Sequence, residues 1–456
     1  MVLTKEQLNH YKRHIIIPEI GQEGQKKLLD STVFVYCENT DSLRPLAYYL
    51  AALGTGRIFC DLKDRRGADS LFAEVIDLNN DTAIDYLHEN NYAKDFSEIH
   101  DIEKNRPQNS YRIVLGNLNF IKRLAAKLLN DEFISTIISV NSQWKGTLQT
   151  FQNEEMFRNL IDSLNAENTE NSSAFLANAL SSTLCAIECV KLCLNIGNIK
   201  KDMLFFDLFN MEFNQTESNA NLFKFLDEDN SMDIKHILAD AKVLIVGTGG
   251  LGSPAAYGLT MAGVGNLGLL DFDKVEESNL NRQVLHSFSR IGMSKSKSAE
   301  FLLKKINPNI NIETYITELT KNNAEKMFSK YDVVIAAVDN IPTRYLINDT
   351  CFILNKPYAE AGVLRFDGTA TTIIPHEGHC YRCLYPNVNS SNLSVNNGVL
   401  GPVPGVMGFI QAAEAVKILS GLGKMLKNKI LLFDSLEMDF NIIDIDRNPQ
   451  CPTCGK

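Results

Sequence analysis

The sequence predicts an α/β protein made of two doubly wound, Rossmann-like parallel-sheet domains that pair within one chain as a pseudo-dimer. Three observations carry that reading. Short apolar runs alternate with helical stretches, a glycine-rich turn joins a strand to a helix, and the whole pattern occurs twice. The second half shows the elements most clearly. Lys242–Val246 is a short apolar run with strand character, and Gly247-Thr-Gly249-Gly250-Leu-Gly252 follows it. Ser253–Ala262 is rich in small residues and reads as a helix, and Leu267–Asp271 as a second strand. Ser294–Ile306 is amphipathic with its lysines on the outer face, and Val333–Val338 is a third apolar strand ahead of PTRYLIN. Strand–helix–strand order of this kind predicts parallel pairing.

The repeat is faint and long. A shift of 209 places Pro45 on Pro254, Tyr48 on Tyr257, Gly54 on Gly263 and Gly56 on Gly265. Further along, Trp144-Lys-Gly146-Thr147 lies over Phe366-Asp-Gly368-Thr369, and Glu188-Cys-Val-Lys191 over Glu414-Ala-Val-Lys417. LFFDLFNMEF (204–213) lies over LLFDSLEMDF (431–440). Coincidences in one order predict a duplicated unit, with offsets that drift through loop insertions. The expected organisation is a first domain over 1–213, a linker over 214–239 whose polar, acidic part ends near 233, and a second domain over 240–456. Residues 152–173 are polar and read as a long loop or crossover.

Composition excludes several classes. With 456 residues, 45% hydrophobic and 22% charged, the chain has ample core. A net charge of −10 argues against nucleic-acid binding. The N-terminus lacks the features of an export signal, and no run of about 18 apolar residues suggests a membrane span. A cytoplasmic protein is expected. Of ten cysteines, Cys37, Cys60, Cys185, Cys189, Cys193 and Cys351 sit among apolar neighbours. The other four form Cys380-Tyr-Arg-Cys383 and Cys451-Pro-Thr-Cys454, the spacing of a closed tetrathiolate zinc site.

The glycine turn is the chemical centre. Its glycines let backbone N–H groups approach an anion at a helix N-terminus, and Asp271 follows at the end of the next strand, where an acid can bond a ribose hydroxyl. The first copy has Glu38-Asn-Thr40-Asp41-Ser-Leu43 there instead. Its bulk blocks backbone approach, and each carboxylate would repel a triphosphate charge by about 1 kcal/mol even at high dielectric. The first copy is therefore expected to fold alike and bind no nucleotide. Ser278-Asn279-Leu280-Asn281-Arg282-Gln283 and Lys295 add cations beside the turn, which nucleotidyl chemistry needs and hydride transfer does not. Asp339-Asn340 ends the third strand, where a carboxylate suits Mg²⁺, although a helix N-cap for PTRYLIN is the plainer alternative.

Residues 240–456 closely resemble the ThiF/MoeB family, relatives of ubiquitin-activating enzymes, through GTGGLG, LLDFDKVEESNLNRQ, GMSKS, AAVDN, CYRCLYP, GPVPGVMGFIQAAEAVKIL and CPTCG. The stretch 11–33 (YKRHIIIPEIGQEGQKKLLDSTV) resembles the start of the same family. The resemblance implies an ATP- and Mg²⁺-dependent adenylyltransferase that activates the C-terminal glycine carboxylate of a ubiquitin-like sulfur-carrier protein. It implies nucleotide or metal contacts at Gly247, Gly249, Gly250, Gly252, Asp271, Ser278 to Gln283, Lys295, Asp339 and Asn340, and Zn²⁺ at the four paired cysteines. In the family's homodimers an arginine from one subunit's N-terminal helix reaches the other's ATP. Arg13 matches it, whereas Met232–Ala241 ahead of the second copy has no arginine. The first half is thus expected to be an inactive scaffold that supplies Arg13, with Arg282, Lys295 and Asp339 as the other catalytic groups.

One departure bears on sulfur chemistry. Some members carry a cysteine shortly before GPVPG, and here Ser394 takes its place, so a separate sulfur donor is expected. Gly398, Gly401 and Gly405 either let a glycine tail pass near backbone or mark turns. Alternative readings are adenylation of a ribosomal precursor peptide, an NAD-dependent dehydrogenase, and a purely structural subunit.

Overall fold

A computed structural model describes residues 2–87, 105–128, 133–163, 175–216, 226, 234–386 and 398–455. The chain divides into two compact units. The first comprises Met1–Tyr11, Pro18–Leu208 and Glu212–Ser231, and the second Lys12–Ile17, Phe209–Met211 and Met232–Lys456. Much of the expected linker lies outside the described residues. Two parts of it are ordered elements, since a strand runs to Thr216 and a helix spans Lys235–Asp240.

The first unit carries strands β1 (Thr32–Asn39), β2 (Arg57–Asp64), β3 (Ala83–Tyr86), β4 (Ser110–Gly116), β5 (Thr136–Ser142), β6 (Lys145–Phe151), β7 (Met203–Asp207) and β8 (Glu212–Thr216). Their order in the sheet is β3-β2-β1-β4-β5-β6-β7-β8. The second unit carries β9 (Lys242–Val246), β10 (Asn266–Leu270), β11 (Asn311–Tyr315), β12 (Val333–Ala336), β13 (Tyr358–Leu364), β14 (Asp367–Ile373), β15 (Lys429–Asp434) and β16 (Asp439–Asp444). They lie in the order β11-β10-β9-β12-β13-β14-β15-β16, the same topology.

Each sheet is parallel over its first five strands, as the alternating pattern predicts. The last three strands add an antiparallel extension to the expected parallel sheet. Tight hairpins make the reversal. Gln143 and Met211 in the β5–β6 and β7–β8 turns, and Arg365 and Met438 in the β13–β14 and β15–β16 turns, take φ of 52°, 52°, 55° and 52° at matched places. Side chains other than glycine rarely adopt that conformation, so its recurrence marks one architecture built twice. Gly54 and Gly263 likewise close equivalent helices at φ 79° and 95°. A Cβ on Gly56 would meet Leu29 O at 2.0 Å, and one on Gly265 would meet Ala239 O at 1.8 Å.

A correction concerns 152–173. Residues Glu154–Ser163 form a helix, and Phe157, Leu160 and Ile161 bury its apolar side in the first unit's core. Residues 164–174 lie outside the described set. Among the described residues one helix, Phe175–Leu194, is long and apolar enough to cross a membrane, but 89% of its most apolar window is buried inside the fold. It is the central core helix against β5 and β6, as Pro402–Ser420 is against β13 and β14.

Both core helices hide an ion pair. Lys191 Nζ meets Glu188 at 2.5 Å with neither side chain exposed, and Thr150 donates to the same carboxylate at 2.9 Å. In the second unit Lys417 Nζ meets Glu414 at 2.5 Å, Thr372 donates to Glu414, and the Leu426 N–H adds a bond at 2.7 Å. Breaking such a pair strands a charge in apolar surroundings and costs about 3–5 kcal/mol. Glu414→Ala is therefore expected to lower stability by about that amount, while Glu414→Leu with Lys417→Met restores most of it. Urea unfolding followed by circular dichroism checks both, and a loss below about 1 kcal/mol for the single variant contradicts the assignment.

Candidate functional site

The turn after β9 is shaped by what its glycines lack. Gly247 sits at φ 92°, and a Cβ there would lie 2.5 Å from Ala337 O at the end of β12. A Cβ on Gly252 would stand 1.8 Å from Gly247 O. Gly249 faces Gln283, and Gly250 faces Pro404 and Arg282, at 3.3 Å or more from where a Cβ would be. A side chain at Gly247 or Gly252 would collide with backbone, and one at Gly249 or Gly250 would crowd Gln283, Pro404 and Arg282.

Asp271 anchors the turn. Its Oδ2 accepts the Thr248 N–H at 2.8 Å and the Thr248 hydroxyl at 3.1 Å, while Oδ1 accepts the Asp273 N–H at 2.9 Å. A carboxylate has about four lone-pair sites, two on each oxygen, so Oδ2 is saturated and Oδ1 keeps acceptor capacity for a hydroxyl. Lys295, at the start of its helix, pairs with Asp273 at 2.8 Å.

Between the turn and β12 the cations gather. Arg282 donates to Ser278 O at 2.9 Å and to Asn281 Oδ1 at 2.8 Å. Burial first, and then the charge of Arg13, push the Arg282 guanidinium down to about 10, while Asp339 pulls it back up. It remains a cation at neutral pH. Arg13, Arg282 and Asp339 thus share one electrostatic neighbourhood. Arg13 belongs to the second unit although it precedes β1 in the chain. Its segment is held by backbone contact, because Arg13 O accepts the Val399 N–H at 3.2 Å and His14 Nε2 accepts the Gly401 N–H at 3.2 Å.

That docking also explains two loop glycines. A Cβ on Gly398 would meet Ile17 at 2.4 Å and Arg13 O at 2.6 Å, and one on Gly401 would meet Asn281 O at 2.3 Å. Their space is filled by the chain itself rather than left as a channel. Ser394 lies outside the described residues.

Other expected contacts divide. Asn279 directs its Oδ1 to the Glu276 N–H at 3.1 Å, closing a local cap, and Leu280 is wholly buried. Asn340 caps the helix Ile341–Ile353 through Thr343 N at 2.9 Å, which leaves the exposed Asp339 as the outward carboxylate. Asn281 Nδ2 and Gln283 Oε1 are buried atoms with no hydrogen-bond partner among the described residues. Orphaned polar atoms beside an open glycine turn fit a polar ligand. Sequence reasoning missed His286, a buried ring bonded to the turn itself, because an isolated histidine carries no spacing signal.

The first copy differs where the glycines are replaced. Glu38, aligned with Gly247, turns its carboxylate onto the Asn117 N–H at 3.0 Å and the Asn117 side-chain amide at 2.8 Å. The helix starts at Thr40, aligned with Gly249, and Asn39 caps it through Ser42 N at 2.9 Å. At the start of this helix a side chain of the chain itself, Asn39, occupies the Ser42 amide, while Glu38 is turned toward the end of β4.

The four paired cysteines meet, as their spacing predicts. Their sulfurs all lie within 4.8 Å of one another, with Cys380–Cys451 at 3.4 Å, Cys383–Cys454 at 3.2 Å and Cys380–Cys383 at 4.0 Å. A tetrahedral zinc thiolate with bonds of about 2.3 Å has sulfur–sulfur edges of about 3.8 Å, so the donor set fits.

A glycine turn between a central parallel strand and a helix, at the point where the strand order reverses, defines the second unit as a nucleotide-binding type of doubly wound fold. The chain belongs to the ThiF family, whose model matches residues 217–453. The chain is similar to the adenylyltransferase and sulfurtransferase MOCS3 of Xenopus laevis, 45% identical over 222 residues, or 48% of this chain and 49% of that protein. The sulfur carrier protein adenylyltransferase of Thermus thermophilus is 42% identical over 226 residues, covering 48% and 83%. The SAMP-activating enzyme E1 of Haloferax volcanii is 40% identical over 222 residues, covering 48% and 82%. The chain spans about half the length of the MOCS3 relatives it matches. Among solved structures, E. coli MccB with succinimide superimposes at a TM-score of 0.46 and 22% identity, over 71% of this chain and 100% of that one.

The glycine at 252 gives a direct test of the turn. Gly252→Ala forces its methyl against Gly247 O, 1.8 Å away, so the turn must open. Urea unfolding is expected to show a loss of about 1–3 kcal/mol, and a neutral substitution contradicts the described backbone.

Proposed function

We propose that the second unit adenylates the C-terminal glycine carboxylate of a small ubiquitin-like sulfur-carrier protein with ATP, releasing pyrophosphate. The observation that carries this reading is the convergence of Arg13, Arg282 and Asp339 beside a glycine turn anchored by Asp271. The names of the Thermus and Haloferax relatives support the substrate class.

In this reading the amides of Gly249 and Gly250 face the phosphates, Asp271 accepts a ribose hydroxyl, and Asn281 and Gln283 use their unpartnered atoms on the nucleotide. The carrier's carboxylate oxygen bonds to the α-phosphorus as the bond to the bridging oxygen breaks, and pyrophosphate leaves with the electron pair. Negative charge builds on phosphate oxygens during that exchange, so fixed cations lower the barrier. Arg13 and Arg282 supply two, and Lys295, beside Asp273, adds a third. Asp339 would hold Mg²⁺, which neutralises phosphate charge when bound. The four cysteines would hold a structural Zn²⁺ that ties the C-terminal segment to the Tyr381–Leu384 turn.

Residues 1–213 form, on this reading, a degenerate copy without nucleotide, joined through 214–239 to the active copy at 240–456. The Asn39 cap supports that, because it already satisfies the Ser42 N–H at the start of the helix, and the Glu38 carboxylate in place of Gly247 would repel an anion. Sulfur then comes from a separate donor acting on the acyl-adenylate.

The test is ATP–pyrophosphate exchange with glycine-tailed carrier proteins. Exchange is expected only with a carrier present. Arg13→Ala should slow it by about 100-fold with an unchanged melting temperature. Exchange at the wild-type rate in that variant rejects the role of Arg13, and no exchange with any carrier rejects the acceptor class. One zinc per purified chain is expected, lost in Cys451→Ser together with thermal stability. A metal-free, equally stable wild type contradicts the zinc assignment.

A further inference from the structure

His286 lies behind the glycine turn. The ring is buried, Nε2 stands 3.0 Å from Thr248 O, and Nδ1 stands 3.0 Å from Ser298 Oγ. A carbonyl only accepts, so Nε2 carries the proton and donates to Thr248. Nδ1 must then accept from the Ser298 hydroxyl. That hydroxyl in turn accepts from Arg290 Nε at 2.9 Å, and Arg290 also donates to Leu285 O at 3.1 Å. Every donor in the series Arg290–Ser298–His286–Thr248 therefore has one direction. Burial, followed by the nearby charge of Lys295, pushes the His286 imidazole down to about 3, so the ring stays neutral at working pH.

The series ends on the one peptide that matters. Thr248 is held on its amide and hydroxyl side by Asp271, and on its carbonyl side by His286 and by Ser253 Oγ at 3.0 Å. The peptide joining Thr248 to Gly249 is planar and trans, so its carbonyl and its N–H point in opposite directions. Drawing Thr248 O inward toward His286 turns the Gly249 N–H outward, away from the packed interior. Gly249 itself has no side chain to hold it there, and glycine resists any single conformation.

We infer that His286 is a positioning residue that fixes the orientation of the Gly249 amide toward the bound nucleotide, acting through the Thr248 carbonyl. Ser298 and Arg290 set the tautomer that makes this possible. The inference rests on the nucleotide reading of the glycine turn given above.

Calorimetric titration of the full chain with Mg²⁺–ATP tests it, with zinc content and melting temperature as controls for folding. His286→Leu keeps the bulk and removes both nitrogens. Its Kd for ATP is expected to rise at least tenfold, and the KM for ATP in pyrophosphate exchange to rise with it, while the KM for the carrier stays within twofold. His286→Gln places an amide donor near the Nε2 position and is expected to recover binding to within threefold of wild type. Loss in His286→Leu with recovery in His286→Gln supports the role. A Kd for His286→Leu within twofold of wild type overturns it, and so does equal loss in both variants, since a mere packing role would not distinguish them. If His286→Leu does not fold, Ser298→Ala takes its place. A rise of about threefold or more supports the tautomer argument there, and an unchanged Kd overturns it. Failure of the wild type to bind ATP would instead reject the nucleotide reading, and this inference with it.

Discussion

Backbone can run against backbone only where no side chain stands between, and the second unit depends on that constraint at Gly247 and Gly252. The carbonyl of Gly247 lies 1.8 Å from where a Gly252 Cβ would be, and Ala337 O lies 2.5 Å from a Cβ on Gly247. The loop can run this close to itself and to β12 only with hydrogen in those places. Once it does, Asp271 can reach back to Thr248, and Gln283 and Arg282 can pack over Gly249 and Gly250. The docking of Lys12–Ile17 follows the same rule on a different loop, where Gly398 and Gly401 permit backbone contact that brings Arg13 toward Arg282.

The two sheets are a natural experiment in what a duplicated fold must keep. Packing devices persist in both copies, including the buried Glu–Lys pairs, the left-handed helix ends at Gly54 and Gly263, and the close approaches at Gly56 and Gly265. These serve burial and chain reversal, which both units need. The glycine turn is present in one. In the first unit the start of the corresponding helix is satisfied by Asn39, which accepts the Ser42 N–H. A buried helix end needs partners whether or not a ligand supplies them.

Much of this was legible in the sequence, for identifiable reasons. Glycines at fixed offsets after an apolar strand and two Cys-x-x-Cys pairs report directly on backbone approach and ligand geometry. The antiparallel strands were not legible, because their turns place Gln143, Met211, Arg365 and Met438 at positive φ instead of the glycine or asparagine that usually signals such a hairpin. The helix Glu154–Ser163 was hidden by its polar composition, although Phe157, Leu160 and Ile161 form a short apolar stripe. His286 was invisible for a third reason. Its meaning lies in partners 38 and 12 residues away, Thr248 and Ser298, which only the fold brings together.

The central claim is an asymmetry between two sheets of one topology, and binding stoichiometry tests it most directly. Equilibrium titration of the full chain with Mg²⁺–ATP should saturate at one nucleotide per chain, and Gly250→Val should abolish that site while Glu38→Ala leaves it intact. Two nucleotides per chain, or a single site that survives Gly250→Val, would contradict the account.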